Sequence, residues 1–288
     1  MHELLHEGLH LVEHTLLDTV NLVPFLFLTY LAMEYLEHKT GEHSGNLVKR
    51  AGRLGPVFGA MVGALPQCGF SAAAANLFTG RVISLGTLIA IFLSTSDEML
   101  PILISEKVEL KTILIFLGVK IFVGMVAGLL LDAILPAKED DHDHIHEMCE
   151  DEHCHCEKGI FVSALTHTAH ITFFILLITF VLNIVMHVVG EEALGNLILN
   201  KPILGPVVAG VVGLIPNCAS SVVLTQFYLK GAMGFGGLMA GLLVNAGIGI
   251  LVLFRVNHDI KENCKVLGLM YGIGVVVGIM LGFLPITI

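Results

Sequence analysis

Two apolar stretches of the 288-residue sequence carry a proline, an amide and a thiol in the same order. A proline removes a helix hydrogen bond and frees nearby carbonyl groups, while a helix that starts after it points N–H groups at the break. Broken helices are tolerated in lipid where they line a cavity, so we expect these residues on a substrate pathway. The alternative is a pair of proline kinks with cysteines as small core residues. The residues are Pro66, Gln67 and Cys68 in the first stretch and Pro216, Asn217 and Cys218 in the second.

A second polar cluster, with Ser94, Asp97 and Glu98, interrupts another apolar stretch. A carboxylate inside a membrane segment is by default a functional hypothesis. The position that corresponds to Thr95 in the second half is Asn245, which would add a neutral oxygen to one charged site. Alternatively, the carboxylates cap a short helix at the membrane interface. Lys120 stands alone in an apolar segment and is a candidate partner for Asp97.

A further polar layer lies near the start of each half and offers groups that exchange protons or bind cations within a helix bundle. Its members are the candidates for proton coupling. Alternatively, Asp18 and His167 only mark the membrane interface. The candidates are Asp18 and Glu34 in the first half and His167 and His170 in the second.

The loop at residues 140–157 combines five histidines, three cysteines and eight acidic residues. Imidazole and thiolate suit zinc-like or copper-like ions, so this loop is predicted to capture metal. A solvated acidic linker would explain the acids but not the other ligands. The candidate ligands are His142, His144, His146, Cys149, His153, Cys154, His155 and Cys156.

The N-terminal segment carries a histidine at every fourth position: His2, His6, His10 and His14. On a helix, neighbours in this series share a face and could bind a divalent ion in pairs. His6, Glu7 and His10 also match the H-E-x-x-H pattern of zinc proteases. The histidine stripe explains that match without a protease, and a protease would leave the duplication described below unexplained.

The elements that carry these residues are predicted to be membrane helices. The chain is 55% hydrophobic and 14% charged, with a mean hydropathy of +0.84, and most of its eight long apolar stretches reach the roughly 20 residues that span a bilayer. No basic, cleavable signal segment precedes them, so the first spanning helix is expected to act as its own signal. The six cysteines form no disulfide framework.

An internal repeat divides the chain, because the Leu-Gly-Pro-Val sequence at 54–57 recurs at 204–207 and the match continues without gaps. We expect a His-rich N-terminal segment at 1–15, a first membrane repeat at 16–136, a linker loop at 137–159 and a second repeat at 160–288. Duplicated membrane domains are common in secondary transporters, which bind substrate where the halves meet.

The orientation of the halves depends on residues 54–80. Each arm around Pro66 has about 13 residues, or about 20 Å of helix, which is too short to cross a core of about 30 Å. The stretch either crosses once with a kink, giving a parallel repeat, or forms a hairpin or two short spans, giving an inverted one. Both models place ten basic residues inside and four outside, so charge fixes only the first loop as cytoplasmic.

The paired Pro-x-Cys segments, the 94–98 cluster and the His-rich loop together resemble a bacterial family of ten-segment heavy-metal exporters related to organoarsenical permeases. The resemblance covers nearly the whole chain. It implies an all-α membrane protein with five segments per half in an inverted repeat. It also implies that the pathway contains the residues at 66–68, 97–98, 216–218 and 245.

We therefore expect a multi-pass secondary transporter of the bacterial cytoplasmic membrane that exports a divalent, manganese- or zinc-like cation, coupled to protons. Its membrane metal site would comprise Cys68, Asp97, Glu98, Cys218 and Asn245. The alternatives are a trivalent arsenical permease that uses the two thiolates, and an intramembrane zinc protease. No cofactor or nucleic acid is expected beyond the metal or metalloid substrate and the lipid bilayer. The sequence leaves the ion and a homo-oligomeric state open.

Overall fold

The computed structural model describes most of residues 54–135 and 201–283, without 66, 67, 97 and 98, and scattered positions at 20–31 and 161–181. Every regular element in this described part is an α-helix. The predicted all-α class is confirmed. The first half contributes α1 Gly55–Gly63, α2 Cys68–Thr79, α3 Leu85–Ser94, α4 Met99–Ser105 and α5 Leu110–Ile134. The second half contributes α6 Leu204–Gly213, α7 Cys218–Leu229, α8 Phe235–Val244, α9 Gly249–Val256 and α10 Ile260–Gly282.

The helices of the second half repeat those of the first. Helices α7 to α10 each begin 150 residues after their counterparts α2 to α5, as the sequence repeat predicts. The turn after α2 places Arg81 in the left-handed region with φ +56°, and the turn after α7 places Gly231 there with φ +72°. The two halves therefore share local conformation as well as sequence. The exact domain boundaries at 15, 136 and 159 lie outside the described residues and stay predictions.

Four stretches of the described part are long and apolar enough to cross a membrane. Two are the continuous helices α5 and α10, and two are the pairs α3–α4 and α8–α9, each interrupted between its two helices. Side chains on α5 that include Leu114, Phe122 and Ile134 are 57% to 71% exposed, as expected for a lipid-facing surface. With four such spans, the chain is a multi-pass membrane protein.

The α1–α2 segment forms a hairpin beside α3. An ideal Cβ on Gly59 would lie 3.2 Å from Thr87 Cγ2, and one on Gly63 would lie 2.5 Å from the Ile91 carbonyl oxygen, so α1 runs parallel to α3. Helix α2 then returns, because only the turn at residues 80–84 separates its end from the start of α3. Each arm is too short to span the bilayer. The hairpin alternative for residues 54–80 is the one that the fold adopts.

Close glycine contacts set the packing in each half. An ideal Cβ on Gly124 would lie 2.7 Å from the Ala90 carbonyl oxygen, and one on Gly278 would lie 2.5 Å from Ala240 Cβ. Small residues let membrane helices approach closely where no hydrophobic driving force holds them together. The glycines of α5 and α10 thereby press these helices against α3 and α8, the helices that carry the breaks.

Three helices in the described part of the chain begin at side-chain caps. Asn217 Oδ1 accepts from the Ala219 amide at 3.2 Å at the start of α7, and Asp259 caps α10. At the start of α3, Ser84 Oγ accepts from the Thr87 amide while Asp132 Oδ1 accepts from the Gly86 amide at 2.9 Å. These caps satisfy N–H groups that a helix start leaves without partners.

Candidate functional site

The first hairpin tip lies against the break between α3 and α4. Ser96 Oγ donates to the carbonyl oxygen of Ala64 at 2.7 Å, which joins the break to the tip. Ser94 and Thr95 are also buried, and both hydroxyls donate to the carbonyl oxygen of Ile91. A buried polar layer therefore surrounds the end of α3, close to the residues that the sequence singles out at 94–98.

The break between α8 and α9 contains a buried amide. Asn245 is 2% exposed, and its Oδ1 accepts from the Gly247 amide at 2.9 Å, where Gly247 has φ +54°. Asn245 Nδ2 has no hydrogen-bond partner within the described part of the chain. A buried donor of this kind normally pairs with an acceptor, so its position at the break suits a polar ligand.

The second hairpin tip carries two of the predicted residues. Pro216 lies between α6 and α7, and Asn217 is 3% exposed and caps α7. The tip approaches the end of α8, because an ideal Cβ on Gly213 would lie 3.1 Å from the carbonyl carbon of Gly241. The arrangement matches the one in the first half, where the tip meets the end of α3.

The two halves meet where the breaks lie. An ideal Cβ on Gly249, at the start of α9, would lie 2.7 Å from Ser71 Cβ and 3.0 Å from Phe92 Cε1. The start of α2 and the end of α3 therefore contact the break of the other half. At the far end of α2, Arg81 Nη1 donates to Glu262 Oε1 at 2.8 Å. We call this region, formed by both tips and both breaks, the central site.

A lysine side chain from α5 reaches the central site. Lys120 is 0% exposed, and its Nζ donates to the carbonyl oxygen of Leu242 in the last turn of α8. A charged side chain at the bilayer centre costs about 2.5–3.5 kcal/mol on insertion scales, so such a residue is expected to serve a purpose. The predicted partner Asp97 lies outside the described residues.

The structure brings together only part of the predicted site. Ser94, Pro216, Asn217 and Asn245 lie at the tips and breaks, while Cys68 and Cys218 are described only as the first backbone positions of α2 and α7. Pro66, Gln67 and Glu98 lie outside the described residues, as do Asp18, Glu34, His167, His170, the loop ligands and the N-terminal histidines. Where the structure does describe side chains, it groups no three His, Cys, Asp or Glu residues that could hold a metal.

Sequence reasoning did not assign Ser71 or Ser96 to the site, although they form its contacts. The only sequence signal at Ser71 is that the repeat has a serine, Ser221, at the corresponding position of the second half. Ser96 has no polar counterpart, because Ala246 occupies its place, so the repeat gave no signal for it.

Two interrupted helices and two hairpins that meet at the centre of a duplicated membrane protein are features that many transporters share. The family comparison agrees, since a family model described as "Putative, 10TM heavy-metal exporter" matches residues 11–186 and 135–258. The chain belongs to this family, as its sequence resemblance indicated. No curated protein and no solved structure matches it.

Proposed function

We propose that the chain exports a divalent heavy-metal cation, manganese- or zinc-like, across the bacterial cytoplasmic membrane in exchange for protons. The observation that carries the proposal is the contact between the hairpin tips and the helix breaks, where Ser96, Asn217 and Asn245 are buried. Unwound backbone and half-helix ends at such breaks supply carbonyl oxygens for a dehydrated cation. The adjoining carboxylates of Asp97 and Glu98 would supply the charge.

Inversion of the two halves is part of this proposal, and the contacts between them support it. Helix α2 leaves the centre beside α9 and in the same direction, from the Ser71–Gly249 contact to the Arg81–Glu262 pair. Within the first half, the hairpin makes α2 antiparallel to α3, whereas α4 continues the span that α3 begins. Helices α4 and α9, which correspond in the repeat, therefore leave the centre in opposite directions. Corresponding helices run in opposite directions in an inverted repeat and in the same direction in a parallel one.

Side-specific labelling tests the inversion. Lys49 lies within the first repeat and Lys158 lies in the linker before the second, and the inverted arrangement places both in the cytoplasm. Cysteines introduced at these positions in a cysteine-free background should react with a membrane-impermeant maleimide only from the cytoplasmic face. Labelling from opposite faces would reject the inverted arrangement.

The substrate class is tested by three substitutions in everted membrane vesicles under an imposed pH gradient. Asp97→Asn preserves size and removes charge, so a carboxylate-bound divalent cation should lose most of its transport. Cys68→Ser and Cys218→Ser remove soft ligands, which an oxygen-preferring ion such as manganese should tolerate better. Cys264→Ser is the matched control, because that free thiol is exposed on α10, and it should transport normally.

A trivalent arsenical is the second candidate substrate, because Cys68 and Cys218 occupy the matching first positions of α2 and α7. A neutral arsenical needs no carboxylate and binds thiolates, which these two cysteines would provide. Loss of transport in the two cysteine variants with normal transport in Asp97→Asn would select the arsenical. Normal transport in all three would place the site elsewhere.

The remaining polar groups are proposed to assist transport rather than catalyse a reaction. The loop at 140–157 and the N-terminal histidines would capture metal before it enters the pathway. Asp18, Glu34, His167 and His170 would carry the exchanged protons. The metal or metalloid is then the transported substrate, no resident cofactor is needed, and the bilayer is the principal partner.

A further inference from the structure

An ion pair joins the two halves at the end of α2 that points away from the central site. Arg81 Nη1, in the turn after α2, donates to Glu262 Oε1 in the first turn of α10 at 2.8 Å. Ser71 of the central site lies in the first turn of α2, and this helix of 12 residues is about 18 Å long. The pair is therefore well separated from the central site. Its side chains are 37% and 23% exposed. We call Arg81 and Glu262 the interhalf pair.

Each member of the interhalf pair is positioned by its own half. Glu262 Oε2 accepts from Asn257 Nδ2 at 2.9 Å, and Asn263 Nδ2 donates to the Asn257 carbonyl oxygen at 2.7 Å. These contacts fix the carboxylate within the second half. The guanidinium carbon of Arg81 lies 5.6 Å from the centre of the Phe78 ring, on the helix that precedes it. A movement of one half against the other would thus break the contact between the two charges and leave the local contacts intact.

The repeat places no second pair of this kind at the corresponding positions. With the offset of 150 residues, Arg81 corresponds to Gly231 and Glu262 corresponds to Thr112, neither of which carries a charge. Arg81 and Gly231 have φ angles of +56° and +72°, a region that favours glycine. The feature that sets the arginine apart from glycine is its side-chain contact with the other half. In an inverted repeat the corresponding positions lie on opposite faces of the membrane, so only one of these two places has an ion pair.

We propose that the interhalf pair closes the path between the central site and the cytoplasm, and that its dissociation lets α2 separate from α9 and opens the site to that face. Helices α2 and α9 pack together from the Ser71–Gly249 contact outward, and Asn257, which directly follows α9, contacts Glu262. A partly exposed ion pair is a weak contact, and Arg81 Nε is buried without a hydrogen-bond partner in the described part of the chain. The pair can therefore break and re-form as transport requires.

The face that the interhalf pair closes is assigned from the charges near it. Arg255, Lys261 and Lys265 lie close to Glu262 in sequence, and an excess of basic residues marks the cytoplasmic ends of membrane helices. The inference rests on the proposed function, to which it adds the control of access to the central site.

The test is the accessibility of a cysteine at the central site from each face of the membrane. Ser71→Cys, in a chain whose six native cysteines are replaced by serine, is labelled with a membrane-impermeant maleimide in everted and in right-side-out vesicles. Arg81→Gln and Glu262→Gln should each raise the labelling rate from the cytoplasmic face by about two- to fivefold, the change in population that a partly exposed ion pair controls. Labelling from the opposite face should not rise, because alternating access opens one face at a time.

Two further variants separate an ion pair from two independent charges. Arg81→Gln and Glu262→Gln combined in one chain should label at the rate of either single variant, because each single change already removes the pair. Lys265→Gln is the matched control, since it removes an exposed charge from the same helix, and it should label at the wild-type rate.

Unchanged labelling in both single variants would overturn the proposal. Faster labelling from both faces would also overturn it, because that result indicates a general loosening of the fold. Ser221→Cys, at the corresponding position of the second half, is the second probe if Ser71→Cys does not reach the membrane. Labelling uses no metal, so its failure leaves the proposed substrate and its export untouched, and an absence of metal efflux would not alter the labelling.

Discussion

Replacing Gly63 with alanine adds a methyl group where the first hairpin tip meets the end of α3. The new Cβ would lie 2.5 Å from the Ile91 carbonyl oxygen, 3.0 Å from Ile91 Cα and also against Ser94 Oγ. Comfortable contacts begin near 3.5 Å, so the tip must retreat by about 1 Å. Overpacking of this kind lowers folding stability by about 1–3 kcal/mol. The higher helix propensity of alanine restores at most about 1 kcal/mol of that loss.

Gly118→Ala is the matched control, because a Cβ on Gly118 would meet no heavy atom within 4 Å. The folding stability of this variant should rise by up to about 1 kcal/mol, from helix propensity alone. The two variants should thus differ in Tm by several degrees, with Gly63→Ala lower, at roughly 2–4 °C per kcal/mol.

Metal efflux measured at matched membrane expression completes this test. A displacement of about 1 Å at a reacting site can lower a rate about 100-fold, so we expect Gly63→Ala to transport at least about tenfold more slowly than wild type. Gly118→Ala should transport normally. Wild-type stability and transport in Gly63→Ala would refute the close contact between the hairpin tip and the interrupted helix.

Three further outcomes are expected. Asp132→Asn should lower stability by about 1–2 kcal/mol in denaturant titrations, because Asp132 accepts from both the Gly86 amide and Ser84 Oγ at the start of α3; an unchanged midpoint would contradict that role. Deletion of residues 140–157 should raise the metal concentration needed for half-maximal transport and leave the maximal rate largely intact, whereas complete loss in a protein that reaches the membrane would make the loop part of the pathway. Deletion of residues 1–12 should weaken transport without abolishing it, whereas the protease alternative, which needs His6 and His10, requires this deletion to abolish activity.

The sequence predicts the interruptions well because they are encoded locally. A proline or a polar cluster within an apolar stretch breaks a helix wherever that stretch packs, so Pro216 and Ser94 mark a tip and a break directly. The constant offset of the repeat then predicts a matching interruption in the other half. The helices α7 to α9 follow that prediction.

The contacts between the interruptions could not be predicted in the same way. Which tip meets which break depends on how closely helices approach, and that distance is set by glycines such as Gly63 and Gly249 through partners far away in sequence. The choice between a kinked span and a hairpin had the same difficulty, because charge counts were equal. The carbonyl group of Leu242, to which Lys120 donates, also belongs to the other half, 122 residues away.

The central claim is that this chain removes a heavy metal or metalloid from the cell through the central site. The most direct test is the cellular content of Mn, Zn, Fe, Co, Ni and As, measured by mass spectrometry in cells that produce wild type, Asp97→Asn or no protein, after equal exposure to each element. We expect wild type to lower the content of at least one element, and Asp97→Asn to fail to do so for a divalent cation. Equal content of all six elements in cells with and without the wild-type protein would contradict it.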